Sequence, residues 1–223
     1  PVAAKGDTWT LTANAPQTRP WTHSRKALAQ MLNINADDLA DTPLWVNTGN
    51  EQLVVPLASV DAVRRCRADA AGLIAEKATN PTPKVYVWAS RGGEDLQVRF
   101  FLLKHDAVWE DHGTGSAAAN LGGWFVARKT PLPLHRVIHQ GEPIGRPSKL
   151  LLDVDGASGI RVGGLAIDLG SGTVAQQQPL AACAKFDART VTSLLHAIVW
   201  FSDRLLSVAS SMLLCCDCRL AYL

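Results

Sequence analysis

The feature that most constrains the fold is a run of small residues from Gly115 to Gly123, Gly-Ser-Ala-Ala-Ala-Asn-Leu-Gly-Gly. A helix of this composition carries little side-chain bulk, and its glycines destabilise it when it is exposed to solvent. The same composition suits a helix that is buried inside a barrel-like sheet, where its neighbours approach closely. We therefore expect an α+β domain in which a mostly antiparallel sheet is wrapped around a central helix that begins near Ser116.

Two acids and a glycine turn precede this helix. Glu110 and Asp111 are followed by His-Gly-Thr-Gly at residues 112–115. The glycines permit backbone conformations closed to other residues, so that successive amides can point at one bound anion. The positive end of the helix favours a carboxylate or phosphate at the same point, and Ser116 is expected to cap the helix or donate to the ligand. The sequence thus predicts an anion pocket, although a plain tight turn before a core helix stays open.

The two acids are expected to play different parts. Asp111 would repel an anion unless it is protonated or accepts a hydrogen bond from a neutral hydroxyl or amine of the same ligand. Glu110 is interpreted as a solvated loop acid or a partner of the helix dipole rather than as a catalytic group.

The loop resembles a known family signature. Residues 110–117, Glu-Asp-His-Gly-Thr-Gly-Ser-Ala, are similar to the E-D-x-x-T-G-S-A motif of the phenazine biosynthesis-like (PhzF) family, whose fold is that of diaminopimelate epimerase. Three further landmarks agree with that family: Val-Arg-Phe-Phe at 98–101, read as the strand that feeds the loop, the segment 140–148 with its QG and GRPS motifs, and Val-Gly-Gly-Leu-Ala at 162–166. The resemblance covers roughly residues 22–174.

The resemblance also implies a domain organisation. Members of the family have two similar domains with the active site in the cleft between them. Residues 1–21 are then expected to be a remnant of the first domain, residues 22–174 the second domain, and residues 175–223 an atypical extension. The family's proton-shuttling glutamate belongs to the first domain, so no residue of this chain is assigned that role.

Site residues follow position by position from the resemblance. Asp111 is expected to bind substrate and to take part in catalysis, and four positions after it are expected to bind substrate: Gly113, Thr114, Gly115 and Ser116. No cofactor is expected, and the ligand is expected to be a small carboxylate.

His112 stands where related epimerases carry a catalytic cysteine. The sequence has no cysteine between Cys66 and Cys183, so a two-thiol mechanism has no sulfur in the loop. His112 could instead titrate near neutral pH and relay a proton, which makes it the second catalytic candidate. The alternative, a histidine that only shapes the turn, stays open.

Elsewhere the apolar spacing predicts secondary structure. Helices are expected over Arg25–Leu32 and over residues 60–77, and strands over residues 52–57, 85–89 and 96–103.

Composition narrows the class of protein. Hydrophobic residues make up 47% and charged residues 19%, with a formal net charge of +2. These values indicate neither disorder nor a nucleic-acid footprint. The histidines show no metal-ligand spacing, so no metal is expected. No signal peptide is seen, and the cysteines show no paired spacing over most of the chain, which favours a cytoplasmic protein.

Residues 166–173 resemble an ATPase phosphate loop but are interpreted as a closing strand and turn.

After Val174 the chain departs from the family pattern. Charged residues interrupt the apolar stretch 191–214, so no membrane span is expected there. An appended amphipathic helix, a disordered tail and an altered reading frame all remain open.

Two functions are consistent with these observations. The first is a PhzF-type isomerase that moves a proton on a small carboxylate metabolite without a cofactor, incomplete as this chain. The second is a truncated or degenerate relative that acts only as a binding or oligomerising module. A homodimer is expected by resemblance to the family.

Overall fold

The structure of the chain is a computed structural model, and it describes residues 1–166. Those residues form one mixed sheet and four α-helices. The strands are β1 (Val2–Lys5), β2 (Thr8–Thr12), β3 (Gln17–Pro20), β4 (Leu44–Asn47), β5 (Gln52–Pro56), β6 (Lys84–Gly92), β7 (Asp95–Lys104), β8 (Ala107–Asp111), β9 (Leu134–Gln140), β10 (Ser148–Val154) and β11 (Ile160–Leu165). The helices are α1 (Arg25–Leu32), α2 (Val60–Arg65), α3 (Ala70–Ala75) and α4 (Gly115–Ala127).

The sheet is mostly antiparallel. Its strand order is β1-β2-β11-β10-β9-β7-β6-β5-β4-β3, and only the pairs β5·β6 and β7·β9 are parallel. β7 pairs with β9 through residues 95–97 and with β8 through residues 100–104, so β8 and β9 share one edge of β7. The expected α+β class with a mostly antiparallel sheet is confirmed.

Helix α4 lies at the centre of this sheet. It contacts β3, β4 and β5 near one end of the strand order and β10 and β11 near the other. A Cβ atom placed on Gly122 would lie 2.8 Å from Ile160, and one placed on Gly123 would lie 2.7 Å from Pro16 and 2.8 Å from Val46. The small residues of α4 therefore allow the sheet to approach the helix from two sides, as the sequence predicts.

Two hydrophobic cores lie on opposite faces of the sheet. The inner face is the one that packs on α4, and its core includes Leu121, Phe125 and Ile138. The outer face packs under α1, α2 and α3, and its core includes Leu28 and Val63. Strands β5, β6 and β7 contribute residues to both cores and are therefore buried on both faces.

Helix α1 has the predicted bounds. The Ser24 side chain accepts a hydrogen bond from the Ala27 amide at 3.1 Å, and Asn33 ends the helix in the left-handed conformation with φ 52°. Both are ordinary capping residues at these positions. Strands β5, β6 and β7 also lie where the apolar patterns place them.

The prediction of one helix over residues 60–77 is wrong. The structure has α2 and α3 instead, because the backbone extends at Cys66 with ψ 138°. The amides of Arg67 and Asp69 then donate to carbonyls of α1, at 2.9 Å and 2.7 Å, and the Asp69 side chain caps α3 by accepting from the Gly72 amide at 2.8 Å. These tertiary hydrogen bonds are invisible in the spacing of apolar residues.

The first strands belong to the same sheet as the rest. β2 pairs with β11 in antiparallel register, Thr8 opposite Leu165, and β1 extends the sheet beyond β2. The assignment of residues 1–21 to an earlier domain stays a prediction. The expectations for the segment 167–173 and for residues 175–223 lie outside the described residues.

Candidate anion-binding site

The acidic loop connects β8 to α4. Residues 98–101 were expected to feed it, but they lie in β7, and the chain turns at His105 and Asp106 to form β8 before it reaches the loop. β8 pairs antiparallel with β7, which places Asp111 beside Phe100 on the inner face. The pairing of β8 with β7 thus places Asp111 shortly before the start of α4.

Helix α4 begins next to Ser116, as expected. Gly115 is its first residue and Thr114 its cap, without a capping hydrogen bond from the Thr114 side chain. The expectation that Ser116 caps the helix is therefore wrong. The Ser116 hydroxyl instead accepts a hydrogen bond from Gln52 Nε2 at 3.0 Å, and Ser116 is exposed. Its own proton remains available to a ligand.

Two amides at the helix start have no partner. Within residues 1–166 neither the Gly115 N–H nor the Ser116 N–H donates a hydrogen bond, as is usual for the first turn of a helix. Together with the positive end of α4 they make a place for an anion.

The glycines of the turn are not there for a special backbone. Neither Gly113 nor Gly115 has a positive φ, so that expectation is wrong. Gly113 instead lies against β10, where an added Cβ would stand 3.2 Å from Ser148 Oγ. Close packing is the physical reason for a glycine at this position.

The Asp111 carboxylate is held within its own loop. Oδ1 accepts from the His112 amide at 2.9 Å, and Oδ2 accepts from the Thr114 hydroxyl at 2.6 Å. The side chain is 29% exposed, so the oxygens can also reach a bound molecule. Both local donors are neutral, which leaves the carboxylate free to accept from a hydroxyl or amine of a ligand.

Gln140 fixes the loop from the neighbouring strand β9. It is fully buried, and its Nε2 donates to the Asp111 carbonyl at 2.8 Å and to the Thr114 hydroxyl at 3.0 Å. Its Oε1 accepts from the Thr114 amide at 3.2 Å. Gln140 is not among the expected site residues, although it is the first residue of the landmark segment 140–148. Both polar groups of Thr114 are thus engaged inside the protein, and its contact with substrate stays a prediction.

His112 lies beside the acid. Its Nδ1 is 3.5 Å from Asp111 Oδ1, and its side chain is 21% exposed. Its carbonyl oxygen faces Gly141, where an added Cβ would stand 2.8 Å away. The geometry is compatible with both a proton relay and a role in shaping the turn, so both interpretations stay open.

Glu110 is not a solvated acid, contrary to the expectation. Its carboxylate forms a two-pronged ion pair with Arg99, at 2.8 Å and 2.6 Å, and the two side chains are 10% and 4% exposed. Arg99 also donates to the carbonyls of Arg64 and Cys66 at the end of α2, at 2.9 Å and 2.5 Å. Glu110 therefore stabilises the outer face of β8.

A buried amide network supports the other side of the helix start. Asn120 on α4 donates to the Asn50 carbonyl at 2.8 Å and to Gln52 Oε1 at 2.9 Å, and its Oδ1 accepts from the Thr48 hydroxyl at 2.7 Å. Gln52 in turn reaches Ser116. These residues were not predicted, because no local pattern connects residues that are about 70 positions apart in the chain.

Other chemistry is limited in the part of the chain that the structure describes. Cys66 lies in the outer core, and burial raises the pKa of its thiol to about 12. In residues 1–166 no group of three His, Cys, Asp or Glu side chains could hold a metal ion. No helix within the same residues is long and apolar enough to cross a membrane.

The chain matches known proteins in sequence. A family model of phenazine biosynthesis-like proteins matches residues 2–172. An uncharacterized isomerase of Pasteurella multocida is 38% identical over 146 residues, which cover 64% of this chain and 47% of that protein. The uncharacterized isomerase YfhB of Bacillus subtilis is 28% identical over 155 residues, which cover 67% of this chain and 53% of that protein. The chain thus spans about half the length of these curated relatives.

Solved structures share the fold. A PhzF-family phenazine biosynthesis protein from Bacillus anthracis has a TM-score of 0.60 at 18% identity, covering 74% of this chain and 60% of its own. A PhzF-family protein from Enterococcus faecalis has a TM-score of 0.52 at 19% identity, covering 74% of this chain and 56% of its own. The diaminopimelate epimerase-like fold is confirmed, and the chain belongs to the phenazine biosynthesis-like (PhzF) protein family.

Proposed function

We propose that this chain provides one half of the active site of a cofactor-free isomerase that acts on a small carboxylate metabolite. The observation that carries the proposal is that Asp111 ends the strand leading into α4, four residues before Gly115, and that the amides of Gly115 and Ser116 have no hydrogen-bond partner within residues 1–166. The relatives named above as isomerases support the reaction class. Because the chain spans about half of their length, the remaining half of the site is assigned to a segment outside residues 1–166.

In this proposal the substrate carboxylate accepts hydrogen bonds from the amides of Gly115 and Ser116 and from the Ser116 hydroxyl. Those donors stabilise the negative charge that develops when a proton leaves the neighbouring carbon. Asp111 accepts a hydrogen bond from a hydroxyl or amine of the substrate and also takes the carbon-bound proton. The electron pair of the C–H bond then moves toward the substrate carboxylate. A second acid, from outside the described residues, gives a proton to the substrate at the position where the isomer carries it. His112 exchanges the proton of Asp111 with solvent.

Thermal-shift titration tests the binding half of this proposal. Benzoate, which carries only a carboxylate, and L-alanine, which adds an amine, are the two probes. Both are expected to raise the melting temperature of the 223-residue chain, since a ligand that binds the native state stabilises it. Ser116→Ala should weaken both shifts. Asp111→Asn should weaken only the shift with L-alanine, because benzoate has no hydroxyl or amine that could donate a hydrogen bond to Asp111.

Deuterium exchange tests the chemical half. Amino acids that stabilise the chain are incubated with it in D2O, and loss of the α-proton is followed by NMR. Asp111→Asn should slow the exchange at least about tenfold. The exposed acid Asp41, paired with Arg128 at 3.0 Å, provides the control Asp41→Asn, which should leave exchange unchanged. Exchange that is equally fast in Asp111→Asn would remove Asp111 from the proposed reaction. Shifts without any exchange would favour a binding module.

A further inference from the structure

A lysine on β6 lies on the inner face of the sheet, the face on which α4 packs. Lys84 is the first residue of β6, and the alternation of that strand places Val85 on the outer face and Tyr86 on the inner face. Lys84 therefore shares the inner face with Tyr86. The parallel register of β5 and β6 puts Gln52 beside Lys84, and Gln52 donates to Ser116 Oγ at 3.0 Å.

The charge of Lys84 is not neutralised by the described part of the chain. Its Nζ donates to Asn50 Oδ1 at 2.8 Å, and no carboxylate of residues 1–166 lies within ion-pair distance of it. The side chain is partly buried, and burial lowers the pKa of its ammonium group. A partly desolvated cation whose only partner is a neutral amide is stabilised by an incoming anion.

A second unused donor lies two residues further along the same face. Tyr86 is fully buried, and its hydroxyl has no hydrogen-bond partner within residues 1–166. The register Tyr86 opposite Phe100 and Phe100 opposite Asp111 turns Tyr86 toward the acid of the loop. Burial and the nearby Asp111 charge both raise the pKa of the Tyr86 hydroxyl, which therefore remains a donor. The inner face of β6 thus carries a partly exposed cation at Lys84 and, two residues further along, a buried hydroxyl without a partner in residues 1–166.

We infer that Lys84 binds a second acidic group of the ligand, so that the site selects small molecules with two acidic groups. One group sits on the amides of Gly115 and Ser116, and the other sits on the Lys84 ammonium. This inference rests on the proposed function, because it extends the same carboxylate site. It names the substrate class as a dicarboxylate or an equivalent dianion.

Affinity measurements with matched acids test the inference. Butyrate, succinate and glutarate are titrated into the 223-residue chain by calorimetry. Butyrate carries one carboxylate, and the other two carry a second carboxylate at two different separations. Succinate or glutarate is expected to bind about tenfold more tightly than butyrate, since a charge-assisted hydrogen bond is gained. Lys84→Met should reduce this preference to about twofold or less and leave the butyrate affinity nearly unchanged.

Three further variants make the outcome decisive. Lys149 is exposed on β10, and Lys149→Met removes the same charge away from the inner face, so it should keep the preference. Lys84→Arg retains the charge and should keep most of it. If Lys84→Met fails to fold, Lys84→Gln serves the same comparison.

The inference would be overturned if the preference for dicarboxylates persists in Lys84→Met, or if the unmodified chain shows no such preference. In either case, binding of butyrate would still support the proposed function. Failure of all three acids to bind would overturn both.

Discussion

Arg99 and Glu110 form a buried two-pronged ion pair that joins β7 to β8 immediately before the acidic loop, with N···O distances of 2.8 Å and 2.6 Å. Breaking a buried pair by removing one charge leaves the other uncompensated. Glu110→Gln should therefore lower the free energy of unfolding by about 3 kcal/mol, measured by urea denaturation.

The control for this prediction is Asp41→Asn, which removes one charge of the exposed pair with Arg128. An exposed pair contributes about 1 kcal/mol or less. If Glu110→Gln costs no more than Asp41→Asn, the buried pair does not hold β8 in place.

Gly141 supports the loop through close packing. It has φ +83°, and an added Cβ would overlap the Arg146 carbonyl oxygen and stand 2.8 Å from the His112 carbonyl oxygen. Gly145 has φ +71° and nothing within 4 Å, so an alanine there meets the backbone strain alone. Gly141→Ala should therefore be less stable than Gly145→Ala by roughly 1–3 kcal/mol and should also bind benzoate more weakly. Equal thermal stability of the two variants would show that the carbonyl groups of His112 and Arg146 do not pack against Gly141.

The close packing of α4 predicts an unusual response to alanine. In an exposed helix, replacing glycine by alanine stabilises by roughly 1 kcal/mol. At Gly123 the new Cβ would stand 2.7 Å from Pro16 and 2.8 Å from Val46, so Gly123→Ala should instead destabilise by about 1–2 kcal/mol. Gly156 has open space, and Gly156→Ala should change the stability by about 0.5 kcal/mol at most. A stabilising Gly123→Ala would contradict the wrapped arrangement of the sheet.

The Tyr86 hydroxyl predicts a neutral or favourable truncation. A buried donor without a partner carries a desolvation cost, so Tyr86→Phe should leave the free energy of unfolding unchanged or raise it by about 1 kcal/mol. Thr48 is the matched case with a partner, since its hydroxyl donates to Asn120 at 2.7 Å. Thr48→Val should cost about 1–3 kcal/mol. A loss of comparable size in Tyr86→Phe would mean that the hydroxyl is already satisfied in the protein.

The sequence predicts the elements whose causes are local. Helix α1 has a capping serine at Ser24 and a left-handed stop at Asn33, and both are adjacent to it in the chain. The glycine and alanine content of α4 is likewise a local property that a wrapped sheet requires. The acidic loop was located at Asp111 by its motif, which is a contiguous run of residues.

What the sequence did not predict depends on long-range contacts. The break between α2 and α3 is set by hydrogen bonds from Arg67 and Asp69 to α1. The burial of Glu110 depends on Arg99, which is brought opposite by the turn between β7 and β8. Strand register brings Gln140 to the acidic loop and Lys84 beside Gln52, and apolar spacing alone does not determine that register.

We propose above that the amides of Gly115 and Ser116 bind a carboxylate next to Asp111. The most direct test is a titration of the ¹⁵N-labelled 223-residue chain with benzoate, followed by amide NMR. We expect the Gly115 and Ser116 amide protons to move downfield with a saturating dependence on benzoate, and Ser116→Ala to weaken the apparent affinity. Saturating shifts confined to other residues, or no saturating shift at these two amides, would contradict it.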